Sequence, residues 1–103
     1  MPVSYSVRQV GELALVEFAI EGGVLDVKEL REAVERAPAV SGTSVVCISG
    51  RGPVWLFTAL AHKYHYTRAV ATYEPRLGAC VVVASHDPRF RVGDAIPVEA
   101  HPG

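Results

Sequence analysis

Apolar and polar positions alternate weakly over Ser4–Val10, and the run Leu13–Ile20 is strongly apolar. With Gly11-Glu12 between them, the two runs predict a β-hairpin. Glu21-Gly22-Gly23 ends it. Asp26 is placed as an N-cap, with Glu29 three residues on completing a capping-box pair. Val27, Leu30, Val34 and Ala37 then recur at helical spacing among charged residues, which predicts an amphipathic surface helix that Pro38 ends. Ser44–Ser49 is a short continuous apolar run, as expected of a central strand covered on both faces. A second helix, apolar nearly all round in its first two turns, is predicted from Pro53 to about Tyr66. One side of it must cover the sheet, and the other is free to meet a second subunit. Arg68–Tyr73, Ala79–Ser85 and Ala95–Glu99 read as strands. Glu74–Gly78 is a turn, and the tail His101–Gly103 is expected to fray. The order is β-β-α-β-α-β-β-β: an α/β fold of α+β character, with a mixed five- to six-stranded sheet and two helices.

The unit from Ser44 through the second helix to Tyr73 is a βαβ crossover, hence parallel, and the remaining strands are expected to be antiparallel. Parallel strands ending at Ser49 and Tyr73 put Ser49, Arg51, Glu74 and Arg76 on one edge of the sheet. The antiparallel return of Ala79–Ser85 puts His86 and Asp87 at the opposite edge, with His62, His65 and Tyr66. Strands of this length separate the edges by about 20 Å. One subunit therefore does not bring both clusters to one substrate atom, and a reaction that uses both needs a site shared between subunits.

Composition narrows this picture. A chain of 103 residues is expected to form one domain, residues 1–103. Half of it is hydrophobic, which points to apolar surface buried between subunits of a symmetric dimer. The net charge of −1 argues against non-specific binding to long nucleic acid, DNA included. Residues 1–50 hold seven acids and four Lys/Arg, whereas residues 51–103 hold four acids and six, so an anionic ligand is expected to meet the second half. There is no apolar run of 18 residues, so no membrane span is expected. Met1–Val7 does not read as a signal peptide, and a cytoplasmic location is expected by elimination. Cys47 and Cys80 sit in apolar strands and read as small core residues in a reducing compartment, with a disulfide the less favoured alternative; the lack of a Cys-x-x-Cys spacing argues against a zinc site.

Ser49-Gly50-Arg51-Gly52-Pro53 joins a strand to a helix. Glycines flanking an arginine allow close backbone approach to a ligand, and the helix start offers spare N–H groups to a phosphate. A plain tight turn reads equally well, since neither a Walker A loop nor a dinucleotide fingerprint is complete. His62 and His65, at i and i+3, can face the same way and hold a divalent metal with His86 or Asp87; exposed helix-end histidines are the plainer reading. Glu74 and Arg76 form either a turn salt bridge or a base beside a phosphate-binding cation. Lys63 and Arg68 read as solvated rim charges. Trp55, Tyr64 and Tyr73 read as core or interface.

Ile48–Leu56, Ala61–Tyr64, Tyr73–Gly78 and Val81–His86 are four ordered stretches that closely resemble the small ring-nuclease family of type III CRISPR systems, first described as a manganese-dependent RNA deadenylase. The resemblance spans about Val45–Asp94. It implies a dimer that binds and linearises cyclic oligoadenylate, mainly cyclic tetra-adenylate, clamped between two dimers, with Mn2+ as the candidate cofactor. Carried over by position, Ser49, Gly50, Arg51, Gly52 and Arg76 bind the ligand. Glu74, His86 and His62 carry the chemistry, and His62, Glu74 and His86 are the candidate metal ligands. Glu74 stands where the family has aspartate, and Tyr66 where it often has histidine. Two other readings stay open: a module that holds the messenger without cutting it, and a Mn2+-dependent 3′-5′ exonuclease on oligo-adenylate RNA.

Overall fold

The computed structural model describes residues 2–98. β1 (Val3–Val10) and β2 (Leu13–Ile20) form the hairpin, and a short 3-10 turn at Glu21–Gly23 closes it. The capping box forms as the sequence suggests: Asp26 accepts from the Lys28 amide and Glu29 reaches back to the Asp26 amide. It opens a 3-10 turn (Val27–Glu29) that runs into α1 (Leu30–Arg36). β3 (Val45–Ser49), α2 (Val54–Lys63) with a terminal 3-10 turn (Tyr64–Tyr66), β4 (Ala69–Glu74), β5 (Ala79–Ser85) and β6 (Ala95–Pro97) follow. Pro53 has extended backbone and sits at the N-cap of α2 rather than inside it. The last strand ends before Glu99, and the tail lies outside the described residues.

The six strands lie side by side in chain order, a mixed sheet with two helices. β3 and β4 are parallel, as the crossover requires. The expectation that all else is antiparallel needs one correction, because β2 and β3 are also parallel, joined through α1. A strand, a helix and a neighbouring strand form a crossover here too. Its consequence is functional: the end of β2 joins the ends of β3 and β4 on one edge.

Both helices pack on one face of the sheet. Leu56, Leu60, Tyr64 and Ala33 close over Val16, Phe18, Val46, Ile48 and Val70. The other face carries Leu13, Leu15, Val45, Cys47, Ala69, Ala71, Cys80 and Val82, with Phe90 and Ile96 packed against them. On this face Cys47 and Cys80 form a disulfide, which corrects the reading of two free core thiols. β3 and β5 flank β4. In a flat sheet such strands lie roughly 9.6 Å apart, yet the Cα atoms of the two cysteines are 6.0 Å apart. The sheet curls toward this face, and the bridge crosses β4 between Ala71, the register partner of Cys47, and Tyr73, that of Cys80.

The end of α2 is a latch on the segment after α1. Lys63 Nζ donates to the carbonyls of Val34 (2.6 Å) and Ala37 (2.8 Å), satisfying the open C-terminus of α1. Tyr64, fully buried, donates to the Pro38 carbonyl, and the Tyr66 hydroxyl donates to the Val40 carbonyl and accepts from its amide. Lys63 is thus a helix cap and not a rim charge. No helix among the described residues is long and apolar enough to cross a membrane.

Candidate functional site

The edge where β2, β3 and β4 end carries the Ser-Gly-Arg-Gly-Pro loop. The two glycines there are required by internal packing. A Cβ on Gly50 (φ 154°) would lie 2.7 Å from the Phe18 carbonyl oxygen, and one on Gly52 would lie 2.8 Å from the Phe18 ring. The loop is pressed onto Phe18 at the end of β2, so close approach to the chain's own β2 accounts for both glycines. Gly50→Ala is expected to lower stability by roughly 1–3 kcal/mol, because the obstructing atom is backbone. Chemical unfolding of the purified variant measures it, and an unchanged midpoint would reject this packing account.

Pinning the loop onto β2 leaves Arg51 exposed at the mouth of a cleft of about 780 Å³ lined by Phe18, Ile20, Val24, Leu25 and Pro53. Among the described residues no acid pairs with Arg51, and the first amides of α2 lack intrahelical acceptors. Ser49 lies at the same strand end but outside the cleft, its register partner being Glu17. Arg76, on the simple β4–β5 turn, has its side chain 89% exposed and pairs with Glu74 through Nε–Oε2 at 3.1 Å. Glu74 also accepts from the Arg76 amide, and these bonds hold its carboxyl below the usual value. A carboxylate so held is a poor proton acceptor at neutral pH. The pair has the geometry of the turn salt bridge, with the guanidinium still open to solvent.

The opposite edge holds the imidazoles. His86 is anchored by its amide to the Arg68 carbonyl (2.9 Å). Its Nε2 lies 3.0 Å from the His65 carbonyl oxygen and 3.3 Å from His65 Nδ1. A carbonyl only accepts, so this contact is a hydrogen bond when His86 Nε2 carries a proton, and in that tautomer Nδ1 is the ring's acceptor. His65 is therefore the partner whose carbonyl favours the Nε2-protonated tautomer, a role the sequence did not single out. Its one signal was the i, i+3 spacing from His62. His62 and His65 line a second cleft of about 390 Å³ with Phe57, Thr58 and Val83, but no hydrogen bond among the described residues joins His62 to His86.

Beneath His86 runs an ion-pair cluster. Arg68 bonds Glu12 (2.7 Å) and Asp87 (3.4 Å), and Arg89 bonds the same two acids (2.9 and 3.2 Å). Arg68 thus ties β4 to the hairpin and is not a rim charge. Hydrogen bonds from the Arg89 amide and side chain, with the charge of Arg68, hold the Asp87 carboxyl below its ordinary 3.8. A depressed folded value stabilises the fold above pH 3.8, and that contribution is lost as pH falls through it. An NMR titration is expected to place the Asp87 midpoint below 3.8, with the His86–Arg89 amide signals shifting in step. A midpoint at or above 3.8 would break the link.

Hydrogen bonding across β4 and β5 pairs Glu74 with Ala79 at one end and Ala69 with Ser85 at the other. Glu74 and His86 are thus about 20 Å apart along the strands. Among the described residues no three His, Cys, Asp or Glu side chains converge on a common point. His62, Glu74 and His86 of one chain therefore do not fit a Mn2+ ion.

The fold and its two polar edges define a single-domain α/β protein with a cationic, cleft-bearing strand edge and an imidazole pair at the far edge. The chain belongs to the family described as CRISPR-associated protein (Cas_csx3), whose model matches residues 20–97. It is also 37% identical over 100 residues, 94% of this chain and 89% of the other, to an uncharacterized protein of Aquifex aeolicus (strain VF5).

Proposed function

We propose that the protein is a ring nuclease that binds cyclic oligoadenylate, cyclic tetra-adenylate first among them, and linearises it. The observation that supports this most is the placement of Arg51 and Arg76 at one strand edge and the His65–His86 pair at the other. A symmetric anionic ring held between two dimers meets the cation edge of one and the imidazole edge of the next. The ribose 2′-hydroxyl attacks the adjacent phosphorus and its proton passes to His86 Nδ1. The bond from phosphorus to O5′ breaks, O5′ takes up a proton from water, and a linear product with a 2′,3′-cyclic phosphate results, His86 returning its proton to solvent. Arg51 and Arg76 neutralise the phosphate charge that grows in this step. Glu74, held ionised by Arg76, acts by orienting that arginine. No step is routed through Mn2+.

A second reading is capture without cleavage, favoured by the depressed Glu74 carboxyl and the absence of a converged metal set among the described residues. Incubation with cyclic tetra-adenylate, with Mn2+ or with EDTA, and chromatography of the products tests both. Linear tetra-adenylate from one cut, passing to di-adenylate after a second cut at the opposite phosphate, is the expected result in both tubes. A ring that stays intact while bound tightly would establish the capture reading. Trimming of a 3′ poly-adenylate tail beside an untouched ring would establish the exonuclease.

A further inference from the structure

We infer that the cleft between the Gly22–Leu25 segment and the Gly50–Pro53 loop is the seat of one purine base of the ring. The inference rests on the ring-nuclease reading and names which part of the ligand the cleft takes. Its volume of about 780 Å³ lies in the range of small-molecule sites. Phe18, Ile20, Leu25 and Pro53 make its walls apolar, and among the described residues Arg51 is the only charged side chain in its lining. Val24 lines the cleft and is 80% exposed.

The order of chemistries matches one nucleotide. A flat, weakly polar base gains from the apolar walls. The phosphate attached to its sugar then falls at the rim, where Arg51 and the first amides of α2 are open. Inorganic phosphate would use the arginine and leave the apolar walls wet. The Gly50 and Gly52 contacts with Phe18 fix the floor, so the seat is preformed. The cleft is also lined by Ala19 and Gly23, which add little bulk to it.

The test compares two probes that share a phosphate ring and differ in base, cyclic tetra-adenylate and cyclic tetra-uridylate. Dissociation constants are measured by calorimetry on the wild-type protein and on Val24→Asn. The exposure of Val24 makes the variant fold as the parent does, and circular dichroism checks this. The wild type is expected to favour the adenylate ring by about tenfold or more, and Val24→Asn to cut that preference to about twofold. The ratio cancels any effect on phosphate capture common to both rings. Equal binding of the two rings by the wild type overturns the purine seat and leaves the messenger reading standing. An adenylate preference that survives Val24→Asn also overturns it. Binding of neither ring overturns the messenger reading, and this inference with it.

Discussion

Two crippled proteins, one carrying Arg51→Ala and the other His86→Ala, are expected to cleave cyclic tetra-adenylate faster when mixed than either does alone, if the proposed ring nuclease shares its site between subunits. His86→Ala removes the proposed base and is expected to slow cleavage by about 10²–10⁴-fold while sparing capture. Arg51→Ala removes the proposed phosphate contact and is expected to weaken capture. The strand register keeps these two residues at opposite edges of the same subunit, with Ser49 ending β3 at one and Ala69–Ser85 pairing at the other. If each reacting phosphate takes its cation from one subunit and its imidazole from another, an equal mixture contains intact combinations. Independent draws make roughly a quarter of the junctions competent. Single-turnover rates on each protein and on the mixture read this directly. A mixture no faster than the average of its parts would mean that one chain supplies both groups, and the edge argument would fall.

Loss of the Cys47–Cys80 bridge is the second large effect. The cysteines are 33 residues apart in sequence, and closing a loop of that length in the unfolded chain is worth about 3–4 kcal/mol in the entropic account. The double variant Cys47→Ala with Cys80→Ala, or the wild type unfolded in a thiol reductant, is expected to lose most of that amount in urea titration. Both side chains are buried, so alanine leaves a small void that adds to the loss. Coincident oxidised and reduced curves would show that the bridge contributes nothing. The bridge lies two residues before Ser49 and two after Gly78. It therefore ties the strand that ends in the Arg51 loop to the strand that leaves the Arg76 turn.

Much of the fold was legible because its signals are local. The hairpin, the Asp26–Glu29 box, the strand before Ser49 and the turn at Glu74 each announce themselves within a few residues. The two-edge arrangement was legible as well, since it follows from one crossover and one hairpin. What escaped is what depends on distant partners. The pairing of β2 with β3 was hidden because Gly22-Gly23 reads as an ending, although the chain crosses over α1 to lie beside its own second strand. The disulfide depends on a curl over β4 that no spacing encodes. Gly50 and Gly52 suggested a ligand's approach, but the atoms they make room for belong to Phe18. Lys63 and Arg68 looked like surface charges because their partners, on the segment after α1 and on Glu12 and Asp87, lie far away in sequence.

The latch formed by Lys63, Tyr64 and Tyr66 has a consequence for how this chain meets a protease. Residues 37–43 have neither helix nor strand, which would ordinarily mark a place to be cut. A protease must draw some residues of its substrate into an extended strand and bond their backbone itself. Here the carbonyls of Ala37, Pro38 and Val40 are already taken by an ammonium and two phenols from the end of α2. Cleavage there waits on the release of that helix end. The longest irregular linker between the two helices thus has the endurance of the core it crosses, and nicking is deferred to conditions that loosen α2 itself.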